Sequence, residues 1–111
     1  MKTISLTDLI IPENRQRREF NAKQLGELAL SIQEIGLLQP VVLRNDGRTL
    51  LAGERRTRAI QLLYSQDADS SFNHDGAAVP RGTIPFVLAS DLTASQLYQA
   101  ELEENIRRSD L

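Results

Sequence analysis

Apolar residues recur along this chain at strand spacing in some stretches and at helical spacing in others, and the switches between them mark the elements. Ile4, Leu6 and the run Leu9-Ile10-Ile11 predict a short strand that breaks at Pro12. Residues 12–20 are polar and arginine-rich and read as a loop. Asn21 and Gln24 have capping-box spacing, and Leu25, Leu28, Ala29, Ile32 and Ile35 follow at helical spacing, with Gly36 placed to close the helix in a left-handed cap. Pro40 to Arg44 predicts a strand, Asn45-Asp46-Gly47-Arg48 a hairpin turn, and Thr49 to Ala52 the returning strand. Gly53 ends that strand, and a helix is expected from about Glu54, burying Ala59, Ile60, Leu62 and Leu63. In residues 65–82 the periodicity disappears among Ser, Asp, Asn, Gly and Ala, which predicts a long, mobile, polar surface loop. Ile84 to Leu88 predicts another strand, with Pro85 favouring an edge or a strand start, and Thr93 with Gln96 caps a last helix from about Ala94 to Arg108. The order β, α, β-hairpin, α, β, α describes one α/β domain over residues 1–111, with a small mixed sheet and three main helices.

Composition narrows the chemistry. Of 111 residues, 41% are hydrophobic and 5% aromatic, so one core built mainly of Leu, Ile, Val and Ala is expected. The net charge of −2 argues against a chain whose main task is gripping duplex DNA by itself. Arginine nevertheless far outnumbers lysine, which occurs only at Lys2 and Lys23, and it clusters at Arg15/Arg17/Arg18 and Arg55/Arg56/Arg58. A guanidinium is a planar fork suited to phosphate. The absence of cysteine removes disulfides, thiolate nucleophiles and zinc–thiolate sites, and fits a cytoplasmic protein. The single histidine, His74, has no partner for a metal site or a triad. No apolar run approaches the ~20 residues of a membrane span, so no membrane partner is expected.

Four stretches could carry chemistry. Gly53-Glu54-Arg55-Arg56-Thr57-Arg58-Ala59 stands where a strand turns into a helix. A helix start offers unpaired N–H groups, glycine lets a ligand approach the backbone, and arginines there run against the usual acidic preference. These are the parts of a phosphate cradle, though not of a Walker A loop; the alternative is an ordinary helix with a basic, solvated start. On the last helix Glu101, Glu104, Asn105 and Arg108 share one face, where carboxylate and amide oxygens suit Mg²⁺ or simply pair with arginines. Gln39, in Gly36-Leu37-Leu38-Gln39-Pro40, either orients a ligand or a water or caps the junction. Arg15-Gln16-Arg17-Arg18-Glu19-Phe20 is a basic loop with one aromatic, facing phosphate, DNA or solvent.

Together, Leu25-Gly26-Glu27-Leu28-Ala29, Gly36-Leu37-Leu38-Gln39-Pro40-Val41-Val42, Gly53-Glu54-Arg55-Arg56-Thr57-Arg58-Ala59 and Glu104-Asn105-Ile106-Arg107-Arg108 resemble the N-terminal domain of the ParB/Spo0J-type partition proteins, in the ParB/sulfiredoxin-like fold group. The resemblance implies binding of CTP, or another NTP, with Mg²⁺, slow CTP hydrolysis, and a nucleotide switch that closes a dimer around DNA. It places Gly53, Glu54, Arg55, Arg56 and Arg58 on phosphates, Glu104 and Asn105 on the metal, and Arg108 and Arg17 in support. Gln39 and Glu104 become the candidates for hydrolysis. The full-length protein would have DNA and a partition ATPase as partners, work in plasmid or chromosome segregation, and be nucleoid-associated. Two departures stand out: the insertion at 65–82, and an end at Leu111 ahead of the helix-turn-helix region expected to read DNA. The alternatives are a ParB-like nuclease and a nucleotide-free transcriptional or adaptor domain. Sulfiredoxin chemistry is set aside, since it needs a cysteine.

Overall fold

A computed structural model describes residues 1–12 and 21–109, with side chains as far as Leu102. The strands are β1 (Thr3–Ser5), β2 (Val41–Leu43), β3 (Leu50–Ala52), β4 (Asn73–His74), β5 (Ala77–Ala78) and β6 (Thr83–Leu88), and the helices α1 (Ala22–Ile35), α2 (Glu54–Gln66) and α3 (Ala94–Ser109). A four-stranded sheet has the order β1-β6-β2-β3. Only the β2–β6 pair is parallel; β1–β6 and β2–β3 are antiparallel, so the sheet is mixed. β2 lies inside the sheet with Val41, Val42 and Leu43 all buried, the continuous apolar run expected of a strand covered on both faces. α1 packs on α2, α2 lies against β2, and α3 meets β3. The core joins Ala29 and Ile32 of α1, Ala59, Ile60 and Leu63 of α2, and Val41, Leu43, Leu50 and Ile84 of the sheet.

Local chemistry explains most boundaries. Asn21 caps α1 by accepting from Gln24 N at 3.1 Å. A reciprocal capping box opens α3, with Gln96 N donating to Thr93 Oγ1 at 3.1 Å and Thr93 N to Gln96 Oε1 at 2.9 Å. In the β2–β3 hairpin, Asp46 accepts from Arg48 N and Thr49 N (both 2.9 Å) and from Thr49 Oγ1 (2.6 Å), while Gly47 takes φ 73°. Ser90 N donates to Asn45 Oδ1 at 2.9 Å, tying the short 3₁₀ turn Ala89–Asp91 ahead of α3 to that hairpin.

Several expectations need correction. Residues 65–82 are not an irregular loop: α2 runs into them, and β4 and β5 form an antiparallel hairpin closed by Asp75 (φ 52°) and Gly76 (φ 76°), the two positive angles of a type I′ turn. Phe72 and Val79 from this segment are buried in the core. Pro85 lies in an interior strand rather than at an edge. It pairs with Thr3 and stands one residue ahead of the point where β2 joins β6 at Phe86, which is how the sheet accommodates a missing N–H. Gly36 stops α1, but at φ 92° and ψ 170° it is extended with positive φ, not a left-handed cap. Ile35, the last of the apolar residues at helical spacing, closes α1 and is 68% exposed. The first apolar run divides: β1 stops at Ser5, and Ile10 forms a separate bridge to Thr49.

A candidate phosphate-binding cleft at the start of helix α2

The turn from β3 into α2 is built around Gly53. Its φ of 106° and ψ of 27° are left-handed, and a Cβ there would stand 2.7 Å from Val41 Cγ1 and 3.0 Å from Val41 Cβ. Glycine thus lets the helix start press directly onto the buried strand β2. Thr57 donates both its N–H and its Oγ1 to Gly53 O, each at 3.0 Å, which draws the carbonyl side of the turn into the helix. The N–H groups of residues 54–56 lie ahead of this first helical hydrogen bond, at the electropositive end of α2.

That end opens into a cleft of about 660 Å³, walled by the end of α1, the 36–40 loop, the start of α2 and the first turns of α3. The volume falls within the range of small-molecule sites. Gly53, Arg55, Arg56 and Gln39 all line it. Arg56 Nη2 donates to Gln39 Oε1 at 3.2 Å, so the sequence segments at 39 and 56 meet across the cleft. Arg55 is half-buried, and its Nε is buried without a hydrogen-bond partner. A guanidinium N–H held dry and unpaired is costly, and an anionic oxygen would relieve that cost.

The other expected residues fall elsewhere. The Glu54 side chain is fully buried and is not among the cleft-lining residues, its Oε2 lying 3.7 Å from Arg58 Nη2. Arg58 also donates to Gln61 Oε1 at 3.4 Å and does not line the cleft. Glu54 and Arg58 therefore support the helix from behind, as one turn-spaced pair. Glu104, Asn105 and Arg108 lie farther along α3, and their side chains, like all of Arg17, are outside the described residues. Among the described residues no group of three or more His, Asp or Glu could hold a metal ion, and no helix is long and apolar enough to cross a membrane. Sequence reasoning missed Ser31 of α1 and Gln96 and Gln99 of α3, which add polar groups to the walls. The three-residue spacing of Gln96 and Gln99 on an otherwise capped helix was the available signal.

Fold and cleft together define a small mixed-sheet domain with an arginine-lined cleft at a helix start. Residues 1–70 match the ParB N-terminal domain model, and the chain belongs to that family. It is 39% identical over 105 residues to the chromosome-partitioning protein Spo0J of Thermus thermophilus, covering 92% of this chain and 33% of that protein. To a probable plasmid-partitioning protein ParB of Deinococcus radiodurans it is 45% identical over 111 residues, covering 98% and 32%. Among solved structures it resembles a C-terminally truncated ParB from Caulobacter crescentus complexed with CTP-γ-S, with TM-score 0.60, 28% identity, and coverage of 99% of this chain and 54% of that one. The same protein complexed to the centromeric parS site gives TM-score 0.63 at 28% identity, with 100% and 51% covered. The chain spans about a third of the length of these curated relatives.

Proposed function

We propose that this domain binds CTP in the cleft at the start of α2 and acts as the nucleotide switch of a DNA-partition protein. The observation that carries the reading is the convergence of the Gly53 turn, Arg55 and Arg56 on one cleft that Gln39, hydrogen-bonded to Arg56, also lines. The backbone N–H groups and the helix end would receive phosphate oxygens, and the two guanidiniums would supply forked, charged donors. The solved relative complexed with CTP-γ-S supports the choice of nucleotide.

Glu104 and Asn105 are the residues proposed to hold Mg²⁺, which would neutralise triphosphate charge; Arg108 and Arg17 are proposed to support the bound nucleotide. Gln39 is proposed to orient the phosphate end, and slow hydrolysis, with Glu104, would reset the switch. Arg58, paired with Glu54 and outside the cleft lining, is proposed to act through Glu54. A ligand moves a two-state equilibrium only through contacts that differ between the states. A triphosphate spanning the α2 start and α3 would make such contacts, since both elements wall the cleft. In the whole protein, this closure would gate a dimer around DNA, with a partition ATPase as partner and the nucleoid as the place of action. The solved relative on parS supports the DNA side of this reading.

Calorimetric titration with each of the four ribonucleoside triphosphates in Mg²⁺ tests it. CTP is expected to bind, and Arg56→Ala to weaken binding by about 1.5–3 kcal/mol, the usual worth of a hydrogen bond to a charged group. A folded chain that takes up none of the four would overturn the proposal.

A further inference from the structure

The β4–β5 hairpin and the cleft are joined at one residue. Leu37 N donates to Asn73 O at 2.8 Å, and Leu37 O accepts from His74 Nδ1 at 2.7 Å. A carbonyl can only accept, so Nδ1 carries the proton. Both backbone polar groups of Leu37 are therefore held by the hairpin, and Leu37 and His74 form a parallel β-bridge. Gly36 makes the approach closer still: a Cβ there would stand 2.7 Å from Asn73 O. Leu37 itself is buried, while Leu38 and Gln39 immediately follow it along the cleft wall.

The hairpin is fixed at its other end by the core. Phe72 is buried, its ring lies 6.4 Å from that of Tyr64 on α2, and its carbonyl accepts from Val79 N at 3.0 Å. His74 is also buried, with Nε2 3.6 Å from Asp75 Oδ2 at the hairpin tip. A polar ring in this place satisfies a backbone carbonyl that the loop itself leaves over. Nothing about the stability of a hairpin requires it to bond a residue 37 positions away in sequence.

We infer that the β4–β5 hairpin is a positioning element for the nucleotide cleft, with His74 as the positioning residue that holds the Leu37–Gln39 wall where Gln39 meets Arg56. This rests on the cleft being the nucleotide site. The chain then has an external handle on Gln39: whatever displaces the hairpin releases both groups of Leu37 and, two residues on, a hydrogen-bond partner of Arg56.

The test compares His74→Leu, which keeps bulk and removes the donor, with His74→Asn, which restores a donor near the Nδ1 position. CTP affinity by calorimetry and amide hydrogen exchange are measured on the whole chain. His74→Leu is expected to bind CTP about fivefold more weakly, the worth of one typical net hydrogen bond, with faster exchange confined to Leu37–Gln39. His74→Asn is expected to restore both to within about twofold. If His74→Leu does not fold, His74→Asn alone decides, since wild-type affinity is expected of it and a loss of affinity refutes the role. A lowered melting temperature with unchanged affinity and unchanged exchange at 37–39 would overturn the inference and make His74 merely structural. If the wild-type chain binds no nucleotide, the functional proposal fails, while the exchange measurement still upholds or refutes the hairpin's hold on this wall.

Discussion

Replacing Gly53 with alanine perturbs the cleft at its foundation. Two costs follow from the structure. The residue sits at φ 106°, where an L side chain is strained by about 1–2 kcal/mol. The new Cβ also arrives 2.7 Å from Val41 Cγ1, on a strand residue that is fully buried and has nowhere to retreat. Overpacking of this kind costs about 1–3 kcal/mol, so the expected total is about 2–5 kcal/mol. Gly76→Ala separates the two costs, because Gly76 also has positive φ (76°) but open space around its Cβ position. Urea unfolding of both variants should place Gly53→Ala below Gly76→Ala by the contact cost alone, with unchanged m-values. In a double-mutant cycle, Val41→Ala should partly rescue Gly53→Ala, leaving the pair less destabilised than the sum of the singles by about 1 kcal/mol or more. Equal destabilisation at Gly53 and Gly76, or strict additivity with Val41→Ala, would refute the claim that close approach of helix to strand is what requires glycine here.

Other outcomes follow from single contacts. The Asp46 carboxyl is held at about 2, against 3.8 ordinarily, first by the Thr49 hydroxyl and then by the N–H groups of Thr49 and Arg48. Folding lowers this value, so the stability it contributes is complete above pH 3.8 and disappears as pH falls through about 2. Urea midpoints of wild type and Asp46→Asn should differ at neutral pH and converge on acidification; a gap independent of pH would contradict this. Thr93→Ala removes the side-chain half of the α3 capping box and should cost about 1 kcal/mol in thermal or urea unfolding, with faster exchange in the first turn of α3. Ile60→Ala empties a fully buried position between α2 and the sheet and should cost about 2–5 kcal/mol, which the same unfolding curves would register.

What the sequence revealed depended on how local the signal was. The Asn21–Gln24 and Thr93–Gln96 caps, the Asp46-Gly47 turn and the strand-to-helix step at Gly53 each lie within a few residues, and the structure has all of them. The β4–β5 hairpin escaped because strands of two residues leave no period to detect, although Asp75-Gly76 carries the same turn signal as Asp46-Gly47. Pro85 misled because its penalty depends on where the neighbouring strand begins, which is a long-range fact. In the cleft, Gly53, Arg55, Arg56 and Gln39 came together, while Glu54 turned inward and took Arg58 with it. Residue type alone could not separate those arginines, since a helix start points successive side chains in directions about 100° apart. His74 looked idle in the sequence because its partner is a backbone carbonyl 37 residues away.

The central claim is that the start of α2 receives an oligophosphate, and amide NMR reads that place directly. Titrating a ¹⁵N-labelled chain with Mg-CTP should shift the N–H resonances of Gly53, Glu54, Arg55 and Arg56 most strongly, together with the Gln39 side-chain amide. Saturating shifts confined to other surfaces, with residues 53–56 unmoved, would contradict it.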